Sequence, residues 1–165
     1  MILGVDTSST RVSLALADGR GGVFESEGSS ENSHDEELAG LFLALCSRAS
    51  IQVSSIRELV IGAGPVFLRG LDKLAALTVR HAVPAIYSYR VFPAAGGLMS
   101  YGSDILDSYR LAGVSTGRVL KGENPAELPV VQATKFELVI NLKAAKALGI
   151  SVPPSMQARA NEMIE

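Results

Sequence analysis

The chain has 165 residues, 47% of them hydrophobic and 19% charged, with a formal net charge of -2. This length suits a single globular domain, and this composition argues against disorder. Acidic and basic residues are interspersed and nearly balanced, so the charge gives no reason to expect nucleic-acid or membrane binding. The lone cysteine, Cys46, excludes an internal disulfide and a thiolate metal site.

The start of the chain lacks the basic region, long apolar stretch and cleavage site of a secretion signal. No apolar run approaches the roughly 20 residues that span a bilayer. We therefore expect a cytoplasmic protein.

The first predicted elements are three short strands. An apolar run at residues 2–5 and an alternating run at residues 11–17 flank a polar stretch that begins at Asp6. This pattern is typical of two antiparallel strands joined by a turn. A second turn at residues 19–22 then leads into a third strand at residues 22–27.

The clearest helix begins at Ser33-His34-Asp35-Glu36, which fits a capping box. Behind it, apolar side chains recur at helical spacing at Leu38, Leu41, Phe42, Leu45 and Cys46. We therefore interpret Cys46 as a core residue.

The next strand is predicted at residues 58–62. Its continuous apolar run, Leu59-Val60-Ile61, indicates a strand buried on both faces. A helix should follow at about residues 68–81, and a further strand at residues 83–87. We expect the first strand to be central, with the helix as a right-handed crossover to its parallel neighbour.

A strand at residues 97–101 precedes a long helix, which Ser103 should cap and which should end near Lys121, before Gly122. A loop is expected at residues 123–134.

The last elements are a strand at residues 136–140, a short helix capped by Asn141, and a final helix that begins at Pro153-Pro154. Strands that alternate with helices predict an α/β fold. We expect one three-layer domain over residues 1–165, with a mixed sheet that is antiparallel at its N-terminal strands and parallel after residue 56.

Residues 1 to about 65 carry three matching segments: Ile2-Leu3-Gly4-Val5-Asp6-Thr7-Ser8, Asn32-Ser33-His34, and Glu58-Leu59-Val60-Ile61-Gly62-Ala63-Gly64-Pro65. They resemble the bacterial TsaB (YeaZ) family, the scaffold subunit of the machinery that adds threonylcarbamoyl to a tRNA adenosine. The resemblance implies an actin-like ATPase fold in a non-catalytic partner. That family continues with Gly-Ser-Phe-Thr-Gly-Leu-Arg, whereas this chain continues with Val66-Phe67-Leu68-Arg69, so the pattern is lost at this point.

Residues from about 66 to 165 carry longer matching strings: His81-Ala82-Val83-Pro84-Ala85-Ile86-Tyr87, Ala94-Ala95-Gly96-Gly97-Leu98-Met99-Ser100-Tyr101-Gly102, and Phe136-Glu137-Leu138-Val139-Ile140-Asn141-Leu142-Lys143. They resemble the C-terminal part of an ABC-transporter substrate-binding protein. Such proteins have two lobes and normally carry a secretion signal. Together the two resemblances imply a chimera joined between about residues 62 and 71, and the sequence leaves open whether it is natural, engineered or selected as a de novo protein.

Asp6, Thr7 and Ser8 lie between two strands, where actin-like ATPases hold phosphate and metal. Hydroxyls, turn amides and a carboxylate would suit a phosphate with Mg²⁺. The alternative is a polar hairpin turn, since these residues favour turns for their own hydrogen bonds. Because the rest of a nucleotide site is missing, we favour the turn. Gly62-Ala63-Gly64-Pro65 lacks the fingerprints of phosphate loops and is interpreted as a strand-to-helix turn.

Tyr87 and Tyr101-Gly102 are candidate ligand-binding residues. They lie near predicted strand ends, where open α/β sheets bind ligands, and in the family resembled their segments lie near the cleft between lobes. Packing or surface aromatics are the alternative, which we favour.

His34 and His81 are far apart and have no companions at ligand spacing, so we expect neither a metal site nor a cofactor. No Ser, His and acid set has a recognisable nucleophile setting, so we do not expect an enzyme.

The leading hypothesis is a folded chimera without a complete inherited activity. One alternative is a weak binding module for an amino-acid-like small molecule, and another is a protein-interaction module related to the tRNA threonylcarbamoyladenosine machinery. An ATPase is the weakest alternative. The high apolar fraction also predicts self-association, as a dimer.

Overall fold

The computed structural model describes residues 1–7, 11–28, 34–62 and 64–165. Its strands are β1 (Ile2–Asp6), β2 (Ser13–Ala17), β3 (Val23–Glu27), β4 (Glu58–Ile61), β5 (Ala85–Tyr87), β6 (Met99–Ser103), β7 (Phe136–Asn141) and β8 (Glu162–Ile164). Its helices are α1 (His34–Arg48), α2 (Pro65–Arg69), α3 (Leu71–Arg80), α4 (Val91–Ala94), α5 (Ile105–Leu120), α6 (Leu142–Ala147) and α7 (Pro154–Gln157), with single 3-10 turns at Val53–Ser55 and Pro125–Glu127.

All eight strands form one mixed sheet in the order β3-β2-β1-β4-β5-β6-β7-β8. The predicted α/β class, with antiparallel strands at the N-terminal end of the sheet, is confirmed. No helix in the described part of the chain is long and apolar enough to cross a membrane.

The N-terminal strands form the predicted antiparallel meander, with β1 paired to β2 and β2 to β3. Helix α1 packs on this meander and buries Leu45 and Cys46 against Leu3, Leu14 and Leu16. The prediction that Cys46 is a core residue is confirmed. Ser33, the expected cap of this helix, lies outside the described residues.

Strand β4 lies in the middle of the sheet, as predicted, and runs parallel to both β1 and β5. Its Ile61 is level with Val5 on one side and with Tyr87 on the other. Helices α2 and α3 connect β4 to β5, in agreement with the expected strand–helix–strand unit.

The prediction that β4 is buried on both faces is wrong. Ile61 is only 3% exposed, whereas its neighbour Val60 is 44% exposed. Helices α1 to α4 all cover the face that carries Ile61, because the chain returns on that side after β3, β4 and β5. An apolar run of three residues marks a central strand, but it does not reveal whether a helix lies over each face.

The third layer of the domain is therefore confined to one end of the sheet. There, α6 and its flanking segments bury Ile140 together with Leu98, Ala145 and Val152. Between β3 and β5 the same face is open, with the small residues Gly4 and Ala15 near the exposed Val60.

Strand β7 is the exception to parallel pairing after residue 56, because it runs antiparallel to β6. The two strands are connected by α5 and the loop after it. This connection begins at the end of β6 and returns to the sheet at the same end, where β7 begins. As a result, Phe136 at the start of β7 is level with Ser103 at the end of β6.

The helix caps agree with the sequence in one case and differ in another. The Asn141 side chain accepts a hydrogen bond from the Ala144 amide at 2.8 Å, so the predicted cap of α6 is confirmed. Helix α5 is capped by Asp104 and not by Ser103, because Ser103 is still paired in β6. Gly122, with φ of 98°, follows the end of α5 as predicted.

Candidate functional site

The first group of candidate residues lies where β1 and β4 end side by side. A methyl group added to Gly62 would stand 2.8 Å from the Asp6 carboxylate, and one added to Gly64 would stand 1.9 Å from the Thr7 hydroxyl. The two segments that the sequence suggested as phosphate loops are thus adjacent. Ser8 and Ala63 lie outside the described residues.

Thr7 is buried, and its hydroxyl has no hydrogen-bond partner among the described residues. The space beside this edge is a trough of about 330 Å³ on the uncovered face of the sheet, between β3 and β4. Three carboxylates, those of Asp6, Glu25 and Glu27, line the trough, and Arg11 pairs with Glu27 at 3.4 Å. This acidic lining is a poor environment for phosphate, which favours the turn interpretation.

The side chain of Tyr87 lies in the core. It stacks on Phe92 with ring centroids 4.4 Å apart, and its hydroxyl shares a hydrogen bond of 3.0 Å with the Thr78 hydroxyl, which lies 2.9 Å from the Ala75 carbonyl. Burial raises the pKa of the Tyr87 phenol, and the Thr78 hydrogen bond offsets part of this shift. Of the two alternatives for Tyr87, this geometry favours packing.

Gly102 lies where β6 passes β5 at close range. A methyl group added to Gly102 would stand 2.0 Å from the carbonyl oxygen of Ser88, so only glycine fits without movement. Gly102 therefore allows β5 and β6 to approach each other closely, next to Tyr101.

Tyr101 projects from the opposite face of β6 into a cavity of about 570 Å³, a volume typical of small-molecule sites. The described residues that line it are Tyr101, Phe136, Leu138, Ser155, Met156, Arg159 and Asn161. Antiparallel pairing of β6 and β7 brings the rings of Tyr101 and Phe136 together, with centroids 5.9 Å apart and planes inclined by 21°. The two rings remain 56% and 52% exposed, so they offer open aromatic surface to a ligand.

The cavity has few polar side chains, and Asn161 and Arg159 differ in what they can offer a ligand. Asn161 is fixed to β7, because its backbone amide donates to the Leu138 carbonyl and its side chain accepts from the Leu138 amide. Arg159 forms no ion pair with another described residue, so its guanidinium is available. The described lining offers a cation and hydroxyl groups but no carboxylate, imidazole or thiol. It can therefore bind an apolar group and an anion together, but it provides no general base.

A model of the family described as ABC transporter substrate binding protein matches residues 59–164, about two thirds of the chain. The chain belongs to this family. The match covers every residue that lines the cavity beside Tyr101, and it begins inside β4.

Solved structures agree with a substrate-binding-protein fold. A conserved domain protein from Vibrio cholerae aligns with a TM-score of 0.63 and 18% identity over 78% of this chain and 50% of its own. The ABC domain in complex with L-Trp from Streptococcus pneumoniae aligns with a TM-score of 0.63 and 23% identity over 82% of this chain and 54% of its own. The chain thus spans about half the length of these two structures. A comparison with curated proteins gives no match.

YeaZ from Pseudomonas aeruginosa aligns with a TM-score of 0.43 and 19% identity over 62% of this chain and 53% of its own. A likeness at this level carries no argument about fold or function. The TsaB-like origin of the N-terminal part therefore stays a prediction.

Sequence reasoning missed Phe136 and Arg159 in this substrate-binding-protein segment. Phe136 becomes a neighbour of Tyr101 only if β6 and β7 are antiparallel, and parallel pairing was expected. Arg159 follows the last helix without a motif of its own. The nearest signal was the long connection between β6 and β7, which allows the chain to return to the same edge of the sheet.

A second polar cluster, also missed, anchors α5 to the start of β7. The buried Asp107 carboxylate accepts from Arg110 at 2.9 Å and from Lys135 at 3.1 Å. These two hydrogen-bonded cations, Arg110 first, lower the pKa of Asp107 below its usual value. No group of three His, Cys, Asp or Glu side chains in the described part of the chain could hold a metal ion.

Proposed function

We propose that this chain is a non-catalytic module that binds a small amphipathic molecule of the amino-acid type in the cavity beside Tyr101. The observation that carries the proposal is the combination of the stacked pair, Tyr101 and Phe136, with the Arg159 guanidinium in one cavity. An apolar or aromatic side chain would pack on the rings. The carboxylate of the ligand would pair with the guanidinium, which is suited to bidentate contacts.

Binding through this cavity should be weak. The two rings would be only partly covered by a ligand, because more than half of each is exposed in the free protein. Affinity in the millimolar range corresponds to a standard free energy of about -4 kcal/mol, which a few partly buried contacts can supply. The absence of a base among the described lining residues supports binding without catalysis.

L-Tryptophan is a suitable first probe, because the Streptococcus pneumoniae structure is a complex with L-Trp and shares the fold. Its indole matches the aromatic pair in chemistry, and its carboxylate matches Arg159. L-Leucine and indole alone separate the two contributions, since each lacks one of the matched features.

Isothermal titration at millimolar ligand tests the proposal. We expect Tyr101→Ala and Arg159→Gln each to weaken L-tryptophan binding by about tenfold, the loss of one partly buried contact. Arg57→Gln is the matched control, because Arg57 is exposed and does not line the cavity. Binding that is unchanged in both cavity variants, or no heat with any amino acid, would refute the assignment.

We also propose that the chain joins two sequence sources close to β4 and α2, with no complete activity inherited from either. The family match begins at residue 59 and leaves the meander and α1 outside it, which supports this origin. In this proposal residues 1–165 form a single hybrid domain, and the cooperativity of unfolding provides the test.

A further inference from the structure

The two faces of β7 and β8 differ in charge. Side chains alternate along a strand, so Phe136 and Leu138 face the cavity, whereas Glu137 lies on the opposite face of the sheet. Glu137 and Glu162 are the only acidic residues that adjoin a lining residue in the sequence. Both pair with Arg90, Glu137 at 4.0 Å, which holds them on that opposite face. The carboxylates nearest to the cavity in sequence are therefore turned away from it.

Arg159 is the only charged residue in the described lining of the cavity. Its guanidinium forms no ion pair with another described residue. A carboxylate on a ligand is attracted to this guanidinium, whereas the ammonium group of an amino acid is repelled by it. The ammonium group also loses part of its hydration without gaining an anionic partner in the described lining. The charge of the cavity thus favours only one of the two ionised groups of an amino acid.

Asn161 adds a second hydrogen-bond donor to the cavity. Its side chain meets the backbone amide of Leu138 at 2.9 Å, and because that amide can only donate, the atom that it meets is Oδ1. The other end of the side chain, Nδ2, donates to no described residue. Because Nδ2 carries two N–H donors and no acceptor, the free end of the Asn161 side chain suits a carboxylate oxygen.

We propose that this cavity prefers aromatic carboxylates that lack a charged amino group to the corresponding amino acids. This inference rests on the function proposed above, because it concerns the same cavity. The rings of Tyr101 and Phe136 hold the aromatic group, and Arg159 and Nδ2 of Asn161 donate to the carboxylate. Arg159 and Asn161 are two residues apart, and the attachment of Asn161 to β7 fixes the segment that carries both.

Three ligands with the same indole ring separate the contributions of the two charged groups. L-Tryptophan carries both groups, indole-3-propionate lacks the amino group, and tryptamine lacks the carboxylate. Isothermal titration of the full chain at about pH 7 and low salt keeps these groups ionised and weakly screened. We expect indole-3-propionate to bind about threefold more tightly than L-tryptophan, because it avoids a like-charge contact at an exposed site. Tryptamine should bind at least about tenfold more weakly than indole-3-propionate.

The outcomes of this titration distinguish the ligand preference from the function on which it rests. L-Tryptophan that binds as tightly as indole-3-propionate, or more tightly, would overturn the preference and leave amino-acid binding in place. Tryptamine that binds as tightly as indole-3-propionate would also overturn it, because the carboxylate would then contribute nothing. No saturable heat with any of the three ligands would refute both the preference and the proposed function.

Asn161→Asp tests the second donor directly. Aspartate has nearly the same shape and keeps an oxygen for the Leu138 amide, but it replaces the Nδ2 donor with a negatively charged oxygen. We expect this variant to bind indole-3-propionate at least about tenfold more weakly than the parent chain does, and to bind tryptamine more tightly. Asn124→Asp is the matched control, because the Asn124 side chain also accepts from a backbone amide, that of Ala126, and lies outside the cavity.

The control adds the same charge to the chain, so an effect of net charge alone would appear in both variants. Circular dichroism verifies that each variant is folded, and the ligand series on the unchanged chain does not depend on them. Unchanged binding of indole-3-propionate and tryptamine in Asn161→Asp, or equal changes in Asn124→Asp, would overturn the assignment of Asn161 as a donor to the ligand.

Discussion

Replacing Ile61 with alanine tests how the sheet holds the chain together. The side chain is 3% exposed and packs with Ala85, Tyr87 and Phe92. Truncation removes three buried carbons at about 0.8 kcal/mol each, and a residual cavity adds to this cost. We expect a loss of about 3 kcal/mol in the free energy of unfolding. Val60→Ala, on the uncovered face of the same strand, should cost about 1 kcal/mol or less, because Val60 is 44% exposed.

Urea unfolding followed by circular dichroism measures both losses, and hydrogen exchange locates them. Because β4 is central to one sheet, Ile61→Ala should reduce amide protection at residues 2–27 and at residues 85–164 together. Equal costs for the two variants would contradict the one-sided cover of β4. Protection retained at residues 85–164, while residues 2–27 exchange freely, would show two units and refute the single domain.

Other variants test individual contacts. Tyr87→Phe should cost about 1 kcal/mol of stability, the value of a buried hydrogen bond, and should leave ligand binding unchanged if the ring only packs. Gly102→Ala should destabilise by about 3 kcal/mol, because its methyl group meets a carbonyl oxygen at 2.0 Å, whereas Gly40→Ala should stabilise α1 by about 0.5–1 kcal/mol. Asp107→Asn should lower the melting temperature at pH 7. Since folding lowers the pKa of Asp107, its stabilisation is present above the unfolded value of about 3.9 and is lost as the pH falls through the folded value. The difference should thus vanish in acid, and a constant difference would refute the ion-pair account.

The sequence predicted local elements better than their pairing. Short-range patterns, such as the cap at Asn141 and the apolar stripe that ends at Cys46, depend on neighbouring residues and were correct. The antiparallel entry of β7 depends on where a connection of some thirty residues leads the chain, which local patterns do not encode. The exposure of Val60 likewise depends on which face of the sheet the helices cover.

The candidate site was only partly predictable for the same reason. Tyr101 could be identified from its position near a strand end. Phe136 reaches the cavity only because β7 pairs with β6, and Arg159 reaches it only because of where the last helix lies. Tyr87 and Gly102 were identified by the same rule, and the structure places them against other parts of the sheet. A position near the end of a strand does not determine whether a side chain faces a cavity or the core.

The most direct test of small-molecule binding is to map L-tryptophan on the ¹⁵N-labelled chain by amide chemical shifts. The account predicts saturable shifts at Tyr101, Phe136, Leu138, Arg159 and Asn161, with a dissociation constant in the millimolar range. No shifts at millimolar ligand, or shifts confined to the acidic trough beside Asp6, would contradict it.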